Sequence, residues 1–591
     1  MQIFMSRFSL LMLFFAAVAL AAGLLMGSAG MSRAAIDSES VDITQPPREE
    51  PAGRQIAVSN DGKTIAYFWL FSNGSNIIAR TRYSTDGGKK WTNKNLSNSN
   101  KQASQPVVAV SDDGKTIAYA WVSSTDPKVD FAAKAAYTTN SGKTWTTRDL
   151  SSDSEGGLNP DIALTENGQN MYFMYDAGSG IEEVGDQYRF FTTSSVRLWS
   201  TSDGGDSWSE SEVSPAQNTR RGSVTVSGNN QTIVYTWYAR DIGLRMRYST
   251  DFGVNWSTVD FFFYENEEST KRPDPDEADD IVGIDGGITE FNVAVSENGQ
   301  TISTLYSEAA RSTGLFNIYT YYSTDGGNQW TNEFFSGGFN GADSPRVAVS
   351  DDGQTLLYAW QEEKTIASSY SSDGGVNWTP YNPAGGDKAK SPEITMSGDG
   401  KTWWYGWEKP GNKAKFFSRN TKNGGISWSK AKKISQPTKS VARLDVQVSN
   451  NASYVGYAWV WGSDTANRAL QTYYSTKGGG SWKTVNLSGS SAVKKLKVRK
   501  TSGVKTQVQW KKPKQVDSNG VKKYEVRYKA VSADSWKSWK SAKPKKLKIG
   551  DQKYAKNVGK LKVGKRYKVQ VRTKNSVSPG QVAVVKLKAK K

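Results

Sequence analysis

No histidine and no cysteine occurs among the 591 residues. Imidazole bases, Ser-His-Asp and Cys-His nucleophile systems, Cys/His metal sites and disulfide frameworks are therefore excluded. Any chemistry falls to carboxylates, Tyr, Lys, Arg, Ser and Thr. The candidates for acid/base or nucleophilic work are Glu362, Glu408, Tyr238 and Asp241. Paired carboxylates are what glycoside hydrolysis needs. Arg220, Arg221 and Arg240 supply guanidinium forks that grip carboxylate, sulfate or phosphate with two parallel hydrogen bonds. Trp461, in Trp459-Val460-Trp461-Gly462, is a candidate aromatic platform for a ligand. Asp274, Asp276, Asp279 and Asp280, with Glu277, are a candidate Ca²⁺ set whose spacing is not that of an EF-hand. No other cofactor is implied. For each charged candidate the competing reading is a solvated loop charge.

The elements that carry these residues repeat. An alternating strand ends in a Ser/Thr anchor and a tight turn, and an aromatic follows ten residues after the anchor. The anchors are Ser59, Ser111, Thr165, Ser227, Ser296, Ser350, Ser397 and Ser449. Their aromatics are Trp69, Trp121, Tyr175, Trp237, Tyr306, Trp360, Trp407 and Trp459. Further on in each unit comes Ser/Thr-x-Asp-x-Gly-x-x-Trp, first as Ser84 to Trp91. Its third position reads Asp86, Asn140, Asp203, Asp251, Asp325, Asp373, Asn423 and Lys477. A short side-chain oxygen there accepts backbone N–H groups in a turn, and Gly supplies positive φ. Lys477 cannot accept, so the eighth copy loses that device.

Strand, turn, strand, loop, strand, turn, strand over about 50 residues is the grammar of a four-stranded propeller blade. Eight copies between Ile56 and Leu487 predict an all-β, eight-bladed propeller, with six to eight as the range and an open β-solenoid as the alternative. Antiparallel alternation puts both kinds of turn on one rim. The opposite face then carries the irregular connections, the longest being Asp176–Ser195 and Asp260–Glu290. Glu362, Glu363 and Glu408 begin such loops, Trp461 lies just past a strand, and Arg220, Arg221, Tyr238, Arg240 and Asp241 flank the fourth unit. Of the 21 Trp, 14 are spent on the two repeated motifs.

The second motif resembles the Asp-box, or BNR repeat, of sialidases and related propellers. In that superfamily the box is a structural turn on the side away from the active site, and non-enzymes share it. The resemblance implies a carbohydrate-binding or sialidase-like propeller. True sialidases usually have six blades, an Arg-Ile-Pro motif, an arginine triad and a Tyr/Glu nucleophile pair. No Arg-Ile-Pro occurs here, and Gly53-Arg54-Gln55-Ile56 is the nearest equivalent. A binding propeller is therefore the first expectation, with an exo-sialidase or related glycoside hydrolase as the alternative.

The ends differ from the middle. Met1–Arg7 is basic, Phe8–Met26 is apolar and uncharged, and small residues follow to Ala35, which is the pattern of an export signal over 1–34. The competing reading of the apolar run is an uncleaved membrane anchor. No later run is apolar enough for a transmembrane helix, so the mature chain is expected outside the cell, free or on its wall, and as a monomer. Residues 35–490 form the repeat domain and 491–591 a further one. From Lys494 on, 32 Lys and Arg face four acids, a net charge of +28. Residues 1–493 hold 44 basic against 53 acidic side chains, a net of −9. Val508–Pro513 with Trp510, Tyr524–Tyr528, and the Leu561-x-x-Gly564-x-x-Tyr567 spacing resemble a fibronectin type III domain, an immunoglobulin-like β-sandwich of this size. Its charge is mostly Lys, a hydrated point charge suited to diffuse attraction. The expected partners are a glycan or cell-surface polymer for the repeats and an anionic surface for 494–591, with no specific nucleic acid.

Overall fold

The computed structural model describes the chain from Arg54 to Lys588, apart from short connections and the stretches 262–286, 512–522, 558–565 and 575–582. The export signal expected over 1–34 lies outside the described residues. So do Arg240, Asp241 and the acidic set from Asp274 to Asp280.

Eight four-stranded antiparallel sheets follow one another, each made of four consecutive strands in spatial order. The first holds β1 (Arg54–Val58), β2 (Ile65–Ser72), β3 (Ile77–Ser84) and β4 (Thr92–Asn95). The eighth ends with Trp482–Asn486. First strands face a central channel: Val58, Val110, Met396 and Val448 from four blades line one cavity, which leaves only about 40 Å³ for water. The architecture is an eight-bladed β-propeller.

Its blades are joined by a repeated contact. In five of the eight blades a second-strand tyrosine eight residues after the anchor brings its hydroxyl to a Ser or Thr on the third strand of the preceding blade, whereas Tyr235 of blade 4 packs with Leu198. Tyr119 meets Thr81 at 2.5 Å, Tyr358 meets Thr320 at 2.9 Å and Tyr405 meets Ser368 at 2.6 Å. Tyr457 makes the same contact to Ser418. Where blade 2 carries Ala135 at the Ser/Thr position, blade 3 answers with Phe173, so no buried hydroxyl is stranded. Closure from blade 8 to blade 1 reuses the device: the Tyr67 hydroxyl lies 2.6 Å from Thr472 Oγ1 and 2.8 Å from the Tyr454 hydroxyl. Ile56, Tyr67 and Trp69 of blade 1 share a core cluster with Tyr454, Ala458 and Tyr474 of blade 8.

In all eight blades, a backbone N–H of the turn after the third strand donates to a carbonyl of the turn after the first strand, at 2.8–3.0 Å. Gly87 to Lys63 and Gly478 to Ser453 are the outermost pair in sequence. Both turns therefore share one rim, as alternation requires. In the third-strand turns the side-chain oxygen accepts the N–H four residues on. Examples are Asp86 from Lys90 (2.8 Å), Asn140 from Thr144 (2.9 Å), Asp203 from Ser207 (3.0 Å) and Asp251 from Asn255 (2.8 Å). Asp325, Asp373 and Asn423 do the same for Gln329, Asn377 and Ser427. The eighth turn keeps its shape without an aspartate. The Ser475 hydroxyl accepts from Lys477 N (3.2 Å) and Gly479 N (3.0 Å).

Residues from Lys494 on form two further four-stranded sheets. One pairs Lys494–Lys500, Thr506–Lys511, Lys553–Asn557 and Lys545–Lys546. The other pairs Lys540–Ala542, Lys523–Ala530, Arg566–Lys574 and Ala583–Lys588. Tyr524, Val526, Tyr567, Val569 and Val571 are buried in this sandwich. Trp510 lies in the Thr506–Lys511 strand opposite Tyr554. Among the described residues no helix is long and apolar enough to cross a membrane.

Candidate functional site

The face opposite the turns is where the sequence places its candidates, and a feature the repeats conceal shapes its centre. Six residues before the anchor, first strands carry a non-glycine residue at positive φ: Gln105 (46°), Asn159 (47°), Arg221 (56°), Ser344 (56°) and Ser391 (51°). Strand register breaks at this level in blades 2, 3, 4, 6 and 7, and again in blades 5 and 8. Each such residue costs about 1–3 kcal/mol of backbone strain. The strain is offset because the preceding blade captures the backbone it exposes. Asn159 N donates to Gln105 Oε1 at 2.7 Å, and Ser344 N to Glu290 Oε2 at 2.9 Å. Arg221 N and Gly222 N donate to the two oxygens of Asp176 at 2.7 and 2.9 Å, and Ser391 N donates to Gln361 Oε1 at 3.0 Å.

Two residues further along the first strands of blades 3, 5, 6 and 8, a second set of bonds crosses to the next blade. Asp161 accepts from Val224 N (3.0 Å) and Ser223 Oγ (2.8 Å), Asn292 from Val347 N (2.9 Å) and Asp445 from Ile56 N (3.0 Å). Arg346 pairs with Glu393 at 3.0 Å in the next blade. Burial pushes the Asp161 carboxyl up to about 7 and that of Asp176 up to about 6, against the hydrogen bonds that pull both down. The polar groups around the channel mouth are thus bolts between blades.

The candidates divide accordingly. Tyr238 and Glu408 stand eleven residues after their anchors, the position that Asp176 and Gln361 use to hold the next blade. Glu408 is buried, begins no loop but lies inside the Trp403–Lys409 strand, and sits 3.2 Å from Lys390 Nζ. Glu362 closes the Leu356–Glu362 strand and accepts from Ser336 Oγ (2.6 Å) and Trp360 Nε1 (3.1 Å). It lines a shallow groove of about 180 Å³ with Glu363, Lys364, Thr365, Gly386 and Lys388. Tyr238 is half-buried against the core between blades 4 and 5, and Arg220 is its backbone partner across the strands. Arg221 is half-buried, with its amide committed to Asp176.

Two placements correct the sequence reading. Trp461 lies within the Val455–Gly462 strand, paired with Val441 and Ala469, because pairing on both sides carries the strand past Trp459. The Asp176–Ser195 stretch is no irregular loop but the continuation of two paired strands, Met171–Val184 and Gln187–Thr201. Among the described residues no group of three acidic side chains is arranged to hold a metal ion.

Two clusters escaped the sequence reading. Tyr175 donates to Glu210 Oε1 at 3.0 Å, and Arg197 contacts both Glu210 and Glu155. These are the residue types of a glycosidase nucleophile pair. Yet Tyr175 is fully buried, and burial with two nearby carboxylates raises its pKa, so its proton is held. On the turn rim, the residue after each anchor faces the channel end. There burial, with Asp351 and Glu166 nearby, pushes Glu297 up to about 9, and burial lifts Asp351 to about 6.

Comparison with known proteins gives a domain match at one end only. Residues 491–586 match the family model of the fibronectin type III domain, and the chain ends in that domain. No curated protein matches the chain. Among solved structures, a prolyl endopeptidase aligns over 76% of this chain at 11% identity and a TM-score of 0.40. The chain spans 58% of that protein's length. Trypanosoma rangeli sialidase in complex with the inhibitor DANA aligns over 83% of this chain and 85% of its own, at 12% identity and a TM-score of 0.33. The β-propeller domain of the trilobed protease from Pyrococcus furiosus aligns over 65% and 94%, at 11% identity and a TM-score of 0.36.

Proposed function

We propose that the protein is an exported binding protein. Its propeller offers the face opposite the turns to a polysaccharide or protein ligand, and its lysine-rich sandwich holds the molecule on an anionic surface. The observation that carries the reading is the commitment of the described carboxylates on and around that face, the candidates Glu362 and Glu408 among them. Asp161, Asp176, Glu362 and Glu408 each hold a neighbouring strand, side chain or blade, and Tyr175 is buried with its proton retained. General acid/base work needs a carboxyl with access to substrate. The Asp-box resemblance is neutral here, since the box sets an architecture and not a reaction. The opposed charges, −9 up to residue 493 and +28 beyond it, support a division of labour between ligand face and anchor.

A glycan array combined with a screen of fluorogenic glycosides, run on the full chain, tests the reading. Glycan binding without turnover is the expected result. Release of sialic acid or another sugar, abolished by Glu362→Gln or Glu408→Gln, would establish the hydrolase alternative instead.

A further inference from the structure

Blade 3 differs from the other seven in one element. Its second and third strands are 14 and 15 residues long. The corresponding strands elsewhere have seven or eight. The blade's first strand stops pairing where Leu158 meets Asp176, and its outer strand stops where Glu212 meets Arg197. Beyond those points the two long strands form a ladder only with each other, from Ala177–Ser195 to Val184–Gln187; at the base of the arm Gly178 N donates to the Glu155 carbonyl at 3.1 Å. Among the described residues no strand pairs along either outer edge of this arm. At about 3.3 Å per residue it extends roughly 25 Å.

A two-stranded ribbon alone in water is marginal, and an open edge is a template for another strand. The two edges here are unlike. Ala177–Val184 carries Gly178, Gly180 and the adjacent acids Glu182 and Glu183. Pairing two such edges antiparallel would gather four carboxylates on one short ladder that the glycines already weaken. Gln187–Ser195 has no acid, no Gly and no Pro, and it is rich in Tyr188, Phe190, Phe191, Thr192 and Thr193, residue types that favour strands. Arg189 is its one charge, and it has no Lys, the residue that most commonly protects an edge.

We propose that this arm is a self-association device: the Gln187–Ser195 edges of two copies pair antiparallel about a two-fold axis, making one four-stranded sheet. Antiparallel pairing brings aromatic and threonine positions opposite one another, which is favourable across strands. The edges left outside are the acidic ones, so a third copy is repelled and the assembly closes as a dimer. A dimer replaces the monomer expected from the sequence, and the proposal stands independently of what the propeller binds.

The chain's lack of cysteine makes the test direct. With Gln187–Ser195 paired end to end, Phe191 faces its own copy at the two-fold axis, so Phe191→Cys in the full chain should give a disulfide-linked dimer under mild oxidation. Glu182→Cys and Glu183→Cys should give none, because their strands lie about three strand spacings, roughly 14 Å, apart in the four-stranded sheet. Sedimentation should show a monomer–dimer equilibrium that persists at about 0.5 M salt, where charge attraction through the basic domain is screened. Phe190→Lys should raise the dimer dissociation constant at least about tenfold. It should leave the melting temperature of dilute protein unchanged, which separates a lost contact from a lost fold. A monomer up to about 100 μM, loss of the dimer in high salt, assemblies larger than two, or cross-linking through position 182 or 183 would each overturn the proposal.

Discussion

Single residues decide how the blades hold together, and their protonation sets when. Asp161 and Asp176 are buried at the junction of blades 3 and 4, with carboxyl pKa values raised to about 7 and about 6. A group whose folded pKa lies above its unfolded value contributes most below the unfolded value, and that contribution is lost as pH rises through the folded one. Stability should therefore fall between about pH 4 and pH 8. Asp161→Asn, which cannot ionise, should flatten that decline by on the order of 2 kcal/mol, read from denaturant melts at pH 5 and pH 8. An equal slope in both proteins would show that the carboxyl stays ionised. The turn aspartates act in the opposite sense. Backbone N–H groups hold Asp86 and Asp325 below the usual range, so their contribution is lost only as pH drops below about 4. Tyr67→Phe leaves the Thr472 and Tyr454 hydroxyls without their shared partner at the ring closure. Loss of about 1–3 kcal/mol is expected by equilibrium unfolding. Phe173 shows that a phenyl ring suits this position when the facing residue is Ala135.

Elements were legible to the extent that their signals are local. The anchor, the turn and the Trp recur within single blades, so eight units could be counted from spacing alone. The Tyr–Thr contact was also open to reading, since Ala135 and Phe173 change together, but it takes a comparison between neighbouring repeats to notice. The strained residue in the first strands was missed because its hydrogen-bond partner sits in another blade. A mark was present nonetheless: Gln105-Pro106, Asn159-Pro160, Ser344-Pro345 and Ser391-Pro392 stand at one offset from the anchor, and a proline inside a strand marks an irregularity. The arm of blade 3 was likewise announced by Gly185-Asp186 between two strand-forming runs, a hairpin signal that the length of the insertion overrode. The candidate site was less legible still, because whether a carboxylate is offered to a ligand or spent on a neighbour depends on tertiary contacts. At this scale the eighth turn makes a direct prediction. Lys477→Asp places an acceptor where seven other blades have one, four residues before Ser481 N. The protein should gain a few tenths to about 1 kcal/mol, measured as a higher melting temperature, and a loss would mean that Ser475 already completes the turn.

The whole molecule combines an acidic ring with a basic appendage, and its attachment should answer to salt. Binding of the full chain to an anionic wall polymer or vesicle should weaken by about tenfold or more between 50 and 200 mM salt, as counterion release requires. Replacing Lys586, Lys588, Lys590 and Lys591 by Gln should weaken the low-salt binding and shallow its salt slope; a salt-independent affinity would place attachment elsewhere. Among the described residues the ring is closed by contacts between blades 8 and 1 and by no exchanged strand, since each blade is made of four consecutive strands and the contact from blade 8 to blade 1 repeats the others. The break in the ring between Asn486 and Arg54 is then an arbitrary cut in a circle. A circular permutant that joins the end of the Trp482–Asn486 strand to Arg54 through a short loop, and opens instead between blades 6 and 7, should fold to the same ring with the same melting behaviour.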